Sequence, residues 1–243
     1  MELSEDTLNA IADRVTAKLL EPSFAHILGT ISIKSLDVRR FAQFACTMKS
    51  AEFYNRYLYN ATHFPNYVEH VAEMARRARA LGEGAFLEFG VATGTTIKAI
   101  ASACHAPVVG FDSFAGLPEA WRDGVGKGAF AGRVPQLPDN VSLQIGMIED
   151  TLPAFLNTFG AQKVRFFHID TDLYKPAKLI LAALAPYIDD AYVVFDEFYN
   201  YPGFEEHEFK AFAEFQEFYS REFDVTFTGS GGVVAVSARI TRK

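Results

Sequence analysis

Five short apolar runs, Ala85–Phe89, Val108–Asp112, Val141–Ile145, Val164–Asp170 and Ala191–Phe195, alternate with stretches whose apolar residues recur at helical spacing. Few architectures accommodate that alternation. Runs so short and so rich in β-branched and aromatic residues read as strands buried on both faces. Strands joined through helices must lie parallel, with right-handed crossovers. The intervening helices are expected over Thr96–Ala103, Thr151–Phe159, Pro176–Ala185 and Glu205–Tyr219. The last contains Phe209, Phe212, Phe215 and Phe218 at three-residue spacing, a stripe read as core. The chain ends in Phe223–Thr228, a Gly229-Ser230-Gly231-Gly232 turn and Val233–Ile240, an antiparallel hairpin. The expected fold is therefore α/β: a doubly wound, mostly parallel seven-stranded sheet whose last strand is antiparallel.

The residues ahead of the first run differ in kind. Ser4 caps a helical pattern carrying Leu8, Ile11, Val15 and Leu19, and Pro22 and Gly29 interrupt it. A second helical region, Ser50–Leu81, carries Phe53, Tyr54, Tyr57, Leu58, Val68, Val71 and Met74, with Gly82 as its C-cap. The boundaries expected are a helical region over 1–82, serving as a lid or as subunit contacts, and a sheet domain over 83–243.

Net charge is −7 over 243 residues, and no Lys/Arg cluster stands out. That disfavours nucleic acid as the main partner. No apolar run approaches the roughly 20 residues of a membrane span, so no membrane partner is expected. The acidic opening, Met1-Glu2-Leu3-Ser4-Glu5-Asp6, is unlike a signal peptide, and the expectation is a cytoplasmic protein. Cys46 and Cys104 have neither metal-ligand nor redox spacing and read as small core residues.

Chemistry concentrates where the strands end. The fourth run closes in Asp170-Thr171-Asp172 and the fifth in Asp196-Glu197. If the two strands are neighbours, roughly 4.8 Å apart, four carboxylates surround one small space, a costly arrangement unless a cation, a shared proton or water answers it. Asp170, Asp196 and Glu197 are hard oxygen donors suited to Mg²⁺. Such an ion would lower the pKa of a bound substrate hydroxyl. Asp172 is then the candidate general base. Each acid alone is equally compatible with capping a helix or facing water.

At the first strand, Glu88-Phe89-Gly90-Val91-Ala92-Thr93-Gly94-Thr95 puts an acid before a glycine turn that opens a helix. With Ala at 92 and no third glycine in register, the turn fits a dinucleotide pyrophosphate poorly. Asp112 ends the second strand, where a carboxylate commonly takes ribose hydroxyls, although it can also cap the following loop. A ribose at Asp112 and an amino-acid-like ammonium at Glu88, with no phosphate between, describe S-adenosylmethionine (SAM). NAD is the fallback. His168 is read as a core histidine, and His207 and Glu208, which open the late helix near the same rim, as candidate substrate contacts. The Gly- and Pro-rich stretch Ser113–Asn140, which holds Trp121, is long enough to be functional or mobile.

These pieces resemble the macrocin- and mycinamicin-type sugar O-methyltransferases, which are class I and Mg²⁺-dependent. The resemblance rests on Glu88–Gly94, on Asp112-Ser113-Phe114-Ala115-Gly116-Leu117-Pro118, on Asp170-Thr171-Asp172-Leu173-Tyr174, and on Asp196-Glu197. Gly146 with Asp150-Thr151-Leu152-Pro153 is similar to a further element whose loop lies near the adenine. The resemblance covers about residues 84–217. It implies SAM contacts from Glu88, Gly90, Val91, Gly94, Thr95, Asp112, Ser113, Gly146, Ile148 and Asp170. It implies metal binding by Asp170, Asp196 and Glu197, with Asp172 as base, and a homo-oligomer. Met48, in a Thr47-Met48 pair similar to one in the family, Tyr174 and His207 are the substrate candidates. Where the family has Asp-Asp-Tyr, this chain has Asp196-Glu197-Phe198, and the longer Glu leaves its place at a metal open. The function expected is methyl transfer to a hydroxyl of a small polar acceptor, a sugar or glycosylated natural product. A catechol-like phenol as acceptor and a SAM-binding module without turnover are the alternatives.

Overall fold

The computed structural model describes residues 38–122 and 124–243; the helix expected over 4–20 lies outside them. The chain divides into two compact units, Met1–Ala45 and Cys46–Lys243, and the site lies in the second. Helix α1 (Val38–Phe53) runs on into a widened turn, Tyr54–Leu58, before a short strand, β1 (Thr62–Phe64). α2 (Tyr67–Arg79) starts at Asn66, whose side chain accepts from the Glu69 N–H at 3.1 Å. The alternating part follows as β2 (Ala85–Phe89), α3 (Thr95–Cys104), β3 (Val108–Asp112), β4 (Val141–Ile145), α4 (Ile148–Leu156), β5 (Val164–Ile169), α5 (Tyr174–Leu184), β6 (Asp190–Phe195) and α6 (Glu208–Phe218). β7 (Phe223–Gly231) and β8 (Ala235–Arg242) close it.

The sheet has eight strands in the order β1-β7-β8-β6-β5-β2-β3-β4. β8 runs antiparallel to both β6 and β7, and every other pairing is parallel. The strand beyond the expected seven is β1, which adds to the edge along Gly229–Gly231. It was hidden because three residues are too few to show a period of two inside a stretch read as helical.

Within the strands, neighbouring residues serve opposite cores. Phe86, Phe166 and Val194 face the core built with α2 and α3, while Leu87, Phe167 and Val193 face the one built with α5 and α6. Both cysteines are buried. The Phe stripe of α6 is only partly core: Phe212 and Phe215 are buried, but Phe218 is 80% exposed. At 100° per residue, nine positions carry Phe218 half a turn away from Phe209.

Candidate active site

β5 and β6 are neighbours, with Ile169 opposite Phe195, so the acids that follow them emerge side by side. Each continues the ladder through its backbone: Asp170 N donates to Phe89 O (2.8 Å) and Asp196 N to Ile169 O (3.1 Å). β2 and β3 end on the same side. Their four carboxyl ends, where chain order reverses across the sheet, open onto one cavity of about 690 Å³. Ligands in open α/β sheets bind at this point, and the volume suits a small molecule.

One end of the cavity is glycine-shaped. Gly90, at φ 91°, packs so closely on β5 that a Cβ there would overlap the carbonyl oxygen of Asp170. Asp112 accepts from Val91 N and Ala92 N (both 2.8 Å) through Oδ2 and from Phe114 N (2.7 Å) through Oδ1. It therefore caps the following loop and also holds the glycine turn, with an edge still on the cavity. Ser113, Gly146 and Ile148 line this end as well. Val91, Gly94 and Thr95 do not line the cavity. Val91 packs beside Gly110, Gly94 lies under Pro135 and Leu137, and the Thr95 hydroxyl meets that of Thr93 at 3.1 Å.

Glu88 is placed differently from its expected role. Its carboxyl is fully buried, with Oε1 2.9 Å from His168 Nδ1. His168 Nε2 lies 2.8 Å from the Tyr67 hydroxyl, which also lies near Asp196. His168 is thus a satisfied core histidine in a chain that runs behind the rim from Glu88 to Asp196.

The other end is acidic. Asp170, Asp172, Asp196 and Glu197 all line the cavity, with the Asp170 and Asp196 carboxyls close enough to act on each other. Burial, reinforced by the negative charge of Asp196, pushes Asp170 well above the usual carboxylate range. Asp172 rises to about 7 through burial and then the charges of Glu197 and Asp196. Glu197 also rises to about 7, from burial and Asp196, with Arg122 opposing. A carboxyl poised near neutrality is suited to proton transfer at neutral pH.

The turn bearing Asp172 is itself held from below. Glu208, the first residue of α6 and fully buried, accepts from Thr171 N (3.1 Å) and Asp172 N (3.2 Å) through Oε1. Its own pKa is pushed well up, by burial and then by Asp172. Asp172 has φ 62°, one of three non-glycine residues with positive φ at these strand ends, together with Ala92 and Phe114. Such strain collects at functional sites.

Sequence reasoning missed Arg122 and Tyr67, and it placed Glu208 near the rim as a substrate contact rather than as the support of the Asp172 turn. Arg122 Nη2 reaches Glu197 Oε1 at 3.5 Å from the loop above, its guanidinium 4.0 Å from the Trp121 ring. The only sequence signal for Arg122 was the lone Trp beside it. Of the substrate candidates, His207 stacks on Tyr201 and meets Trp121 edge-on. Tyr174 turns from the cavity to donate to Glu214 Oε2 (2.7 Å), and Met48 is 54% exposed away from it.

By kind, the rim donors fit a hard divalent cation, and Glu197 Oε2 is buried without a hydrogen-bond partner. By arrangement, no three His, Cys, Asp or Glu side chains among the described residues are grouped so as to hold a metal. Glu197 leans toward Arg122 instead. Among the described residues, no helix is long and apolar enough to cross a membrane.

No family model matches the sequence, and no curated protein matches it. Solved structures do. A calicheamicin methyltransferase, CalS11, is 22% identical with a TM-score of 0.55, over 69% of this chain and 76% of that one. The O-methyltransferase NovP is 20% identical with a TM-score of 0.54, over 72% and 79%. An apo structure of CalS11, described as a TDP-rhamnose 3'-O-methyltransferase, gives 23% and 0.50 over 69% and 76%. At such identities the likeness is one of architecture, and the architecture of this chain is the class I methyltransferase fold.

Proposed function

We propose that this chain is a SAM-dependent O-methyltransferase acting on a hydroxyl of a small polar acceptor, with a sugar or glycosylated natural product as the leading class. The observation that carries the reading is one cavity with a glycine turn and Asp112 at one end and a proton-accepting acid, Asp172, at the other. The fold is shared with proteins described as a calicheamicin methyltransferase, an O-methyltransferase and a TDP-rhamnose 3'-O-methyltransferase. SAM would supply an electrophilic methyl group. Mg²⁺, held by Asp170, Asp196 and Glu197, would supply Lewis acidity toward the acceptor oxygen.

The chain's own residues do the rest. Gly90 admits the ligand against the backbone. Asp112 fixes the turn and presents its free edge to ribose hydroxyls. Asp172 takes the acceptor's proton on a carboxylate oxygen, and Glu208 orients the turn that aims it. Transfer itself depends mostly on alignment, because in-line displacement is won by positioning.

Transfer of labelled methyl from SAM across a panel of sugars and phenols, with and without EDTA, tests the reading. Sugar-type acceptors are expected to turn over and EDTA to suppress them; turnover unaffected by EDTA removes the metal. Asp172→Asn is expected to lower kcat by about 10²–10⁴-fold while SAM affinity holds. Full activity in that variant removes Asp172 as base.

A further inference from the structure

Phe130 is an aromatic side chain that the fold leaves uncovered inside the cavity. It lines the cavity wall, yet the residue is 58% exposed. A lone exposed Phe on an outer surface needs no explanation. This one differs because its backbone is left-handed, at φ 65°, where a bulky side chain is disfavoured. Among the described residues from 116 to 132, the other left-handed positions are all glycine, Gly116, Gly124 and Gly128. Core burial gives Phe130 no compensation for the strain, and a ligand that covers the ring on binding accounts for its position.

The backbone around the ring is tightly built. Leu117 N donates to Ala129 O (2.9 Å), Gly128 N to Leu117 O (2.8 Å) and Gly132 N to Phe114 O (3.2 Å). Gly116 packs so closely there that a Cβ would overlap the carbonyl oxygens of Gly128 and Ala129. Residues 128–132 are thereby laid along 114–117, the segment that leaves β3 just after Asp112. Phe130 is thus mounted beside the exit from β3. In the sheet, β2 separates that exit from β5, which carries Asp170 and Asp172 at its end.

The shape of the proposed methyl donor then decides what meets the ring. With its ribose hydroxyls at Asp112 and its methyl group directed at Asp172, the donor would lie across the strand ends from β5 to β3. Sulfur and purine leave the ribose on opposite sides of its ring oxygen, so the purine would continue past β3, away from the acids. Ser113, Gly146 and Ile148 line that end of the cavity. We propose that Phe130 is the stacking platform for the donor's purine, and that this contact sets how tightly SAM and its product S-adenosylhomocysteine (SAH) are held. This rests on the reading of the cavity as a SAM site. A purine lying on the ring covers it and adds an offset-stacked aromatic contact. The acceptor is the rival occupant, but its reacting hydroxyl is tied to Asp172 at the other end.

SAH is titrated by calorimetry into wild type, Phe130→Ala, Phe130→Leu and Phe130→Trp, with indole emission recorded alongside. Phe130→Ala is expected to bind SAH about 5–150-fold more weakly, the range that follows from losing a base–aromatic stack. Phe130→Leu keeps apolar surface without a π face and is expected to lose most of that affinity too. Phe130→Trp keeps a larger face and is expected to bind at least as tightly, with its introduced indole losing emission as SAH binds. Wild-type emission, which comes from Trp121 alone, is the reference. Unchanged SAH affinity in Phe130→Ala overturns the stacking and leaves the cavity a SAM site. Wild-type affinity in Phe130→Leu also overturns it, in favour of plain apolar cover. No binding of SAH by wild type overturns the SAM reading and the stacking together. Should Phe130→Ala fail to fold, Phe130→Trp still decides: SAH binding with no emission change beyond that of wild type refutes the platform.

Discussion

His70 makes this fold sensitive to acid in a way that can be separated from the rim. Its imidazole is fully buried on α2, stacked on Phe64 with ring centres 4.9 Å apart and Nε2 2.8 Å from Ser237 Oγ. Nδ1 has no hydrogen-bond partner and abuts Gly231. A second proton would put a charged N–H where nothing accepts it, and burial lowers the pKa to about 3. In the unfolded chain the ring titrates near 6.5. Between those values the unfolded state binds the extra proton, so stability rises with pH there and falls as the solution is acidified. Integrated from pH 7 to pH 5, the loss is about 2 kcal/mol, or about 4–8 °C in Tm for a chain of this size. Asp172 and Glu197, both raised to about 7, act in the opposite sense. Below about pH 7 the folded chain keeps protons that the unfolded chain gives up, which favours folding. The test is therefore a difference between two pH profiles. His70→Phe keeps a ring against Phe64, and Ser237 retains Thr228 at 2.9 Å. Urea unfolding of both proteins from pH 5 to pH 8 should show wild type losing about 2 kcal/mol more than the variant on the acid side. Parallel profiles, within about 0.5 kcal/mol, would refute a neutral buried His70.

Three further outcomes follow from the packing. Gly90→Ala forces a Cβ onto the Asp170 carbonyl at positive φ and should cost about 3 kcal/mol or more; a melting curve like that of wild type would show that β2 and β5 can spread. Phe212→Ala empties a fully buried site and should cost about 3–5 kcal/mol, while Phe218→Ala, on the exposed side of the same helix, should stay within about 0.5, both read by denaturant unfolding. Glu208→Ala leaves the Thr171 and Asp172 N–H groups unpaired and should cost about 2–4 kcal/mol, whereas Glu208→Gln, which keeps an accepting oxygen and sheds a buried charge, should melt at or above wild type at pH 8. Equal losses in the two Glu208 variants would mean that the charge, rather than the acceptor, supports the turn.

Much of this was written locally. Alternating apolar runs determine strands and helices because burial on both faces of a parallel sheet demands continuous hydrophobic stretches, and β2, β3 and β4 lie where those stretches lie. The acids ending β5 and β6 meet because parallel neighbours end on the same side. Pairing across long sequence distances left no such mark. Glu88 looked like a ligand contact and is instead His168's partner, since the direction of a strand side chain depends on register, and one step moves it to the other face. Arg122 meets Glu197 across 75 positions, and Glu208 reaches Thr171 and Asp172 from another helix. No period or motif encodes those meetings. Composition and spacing alone determined that a charged rim would form; only the folded sheet, by fixing which charges share a desolvated space, decided which acid is aimed, which is held, and which is answered by an arginine.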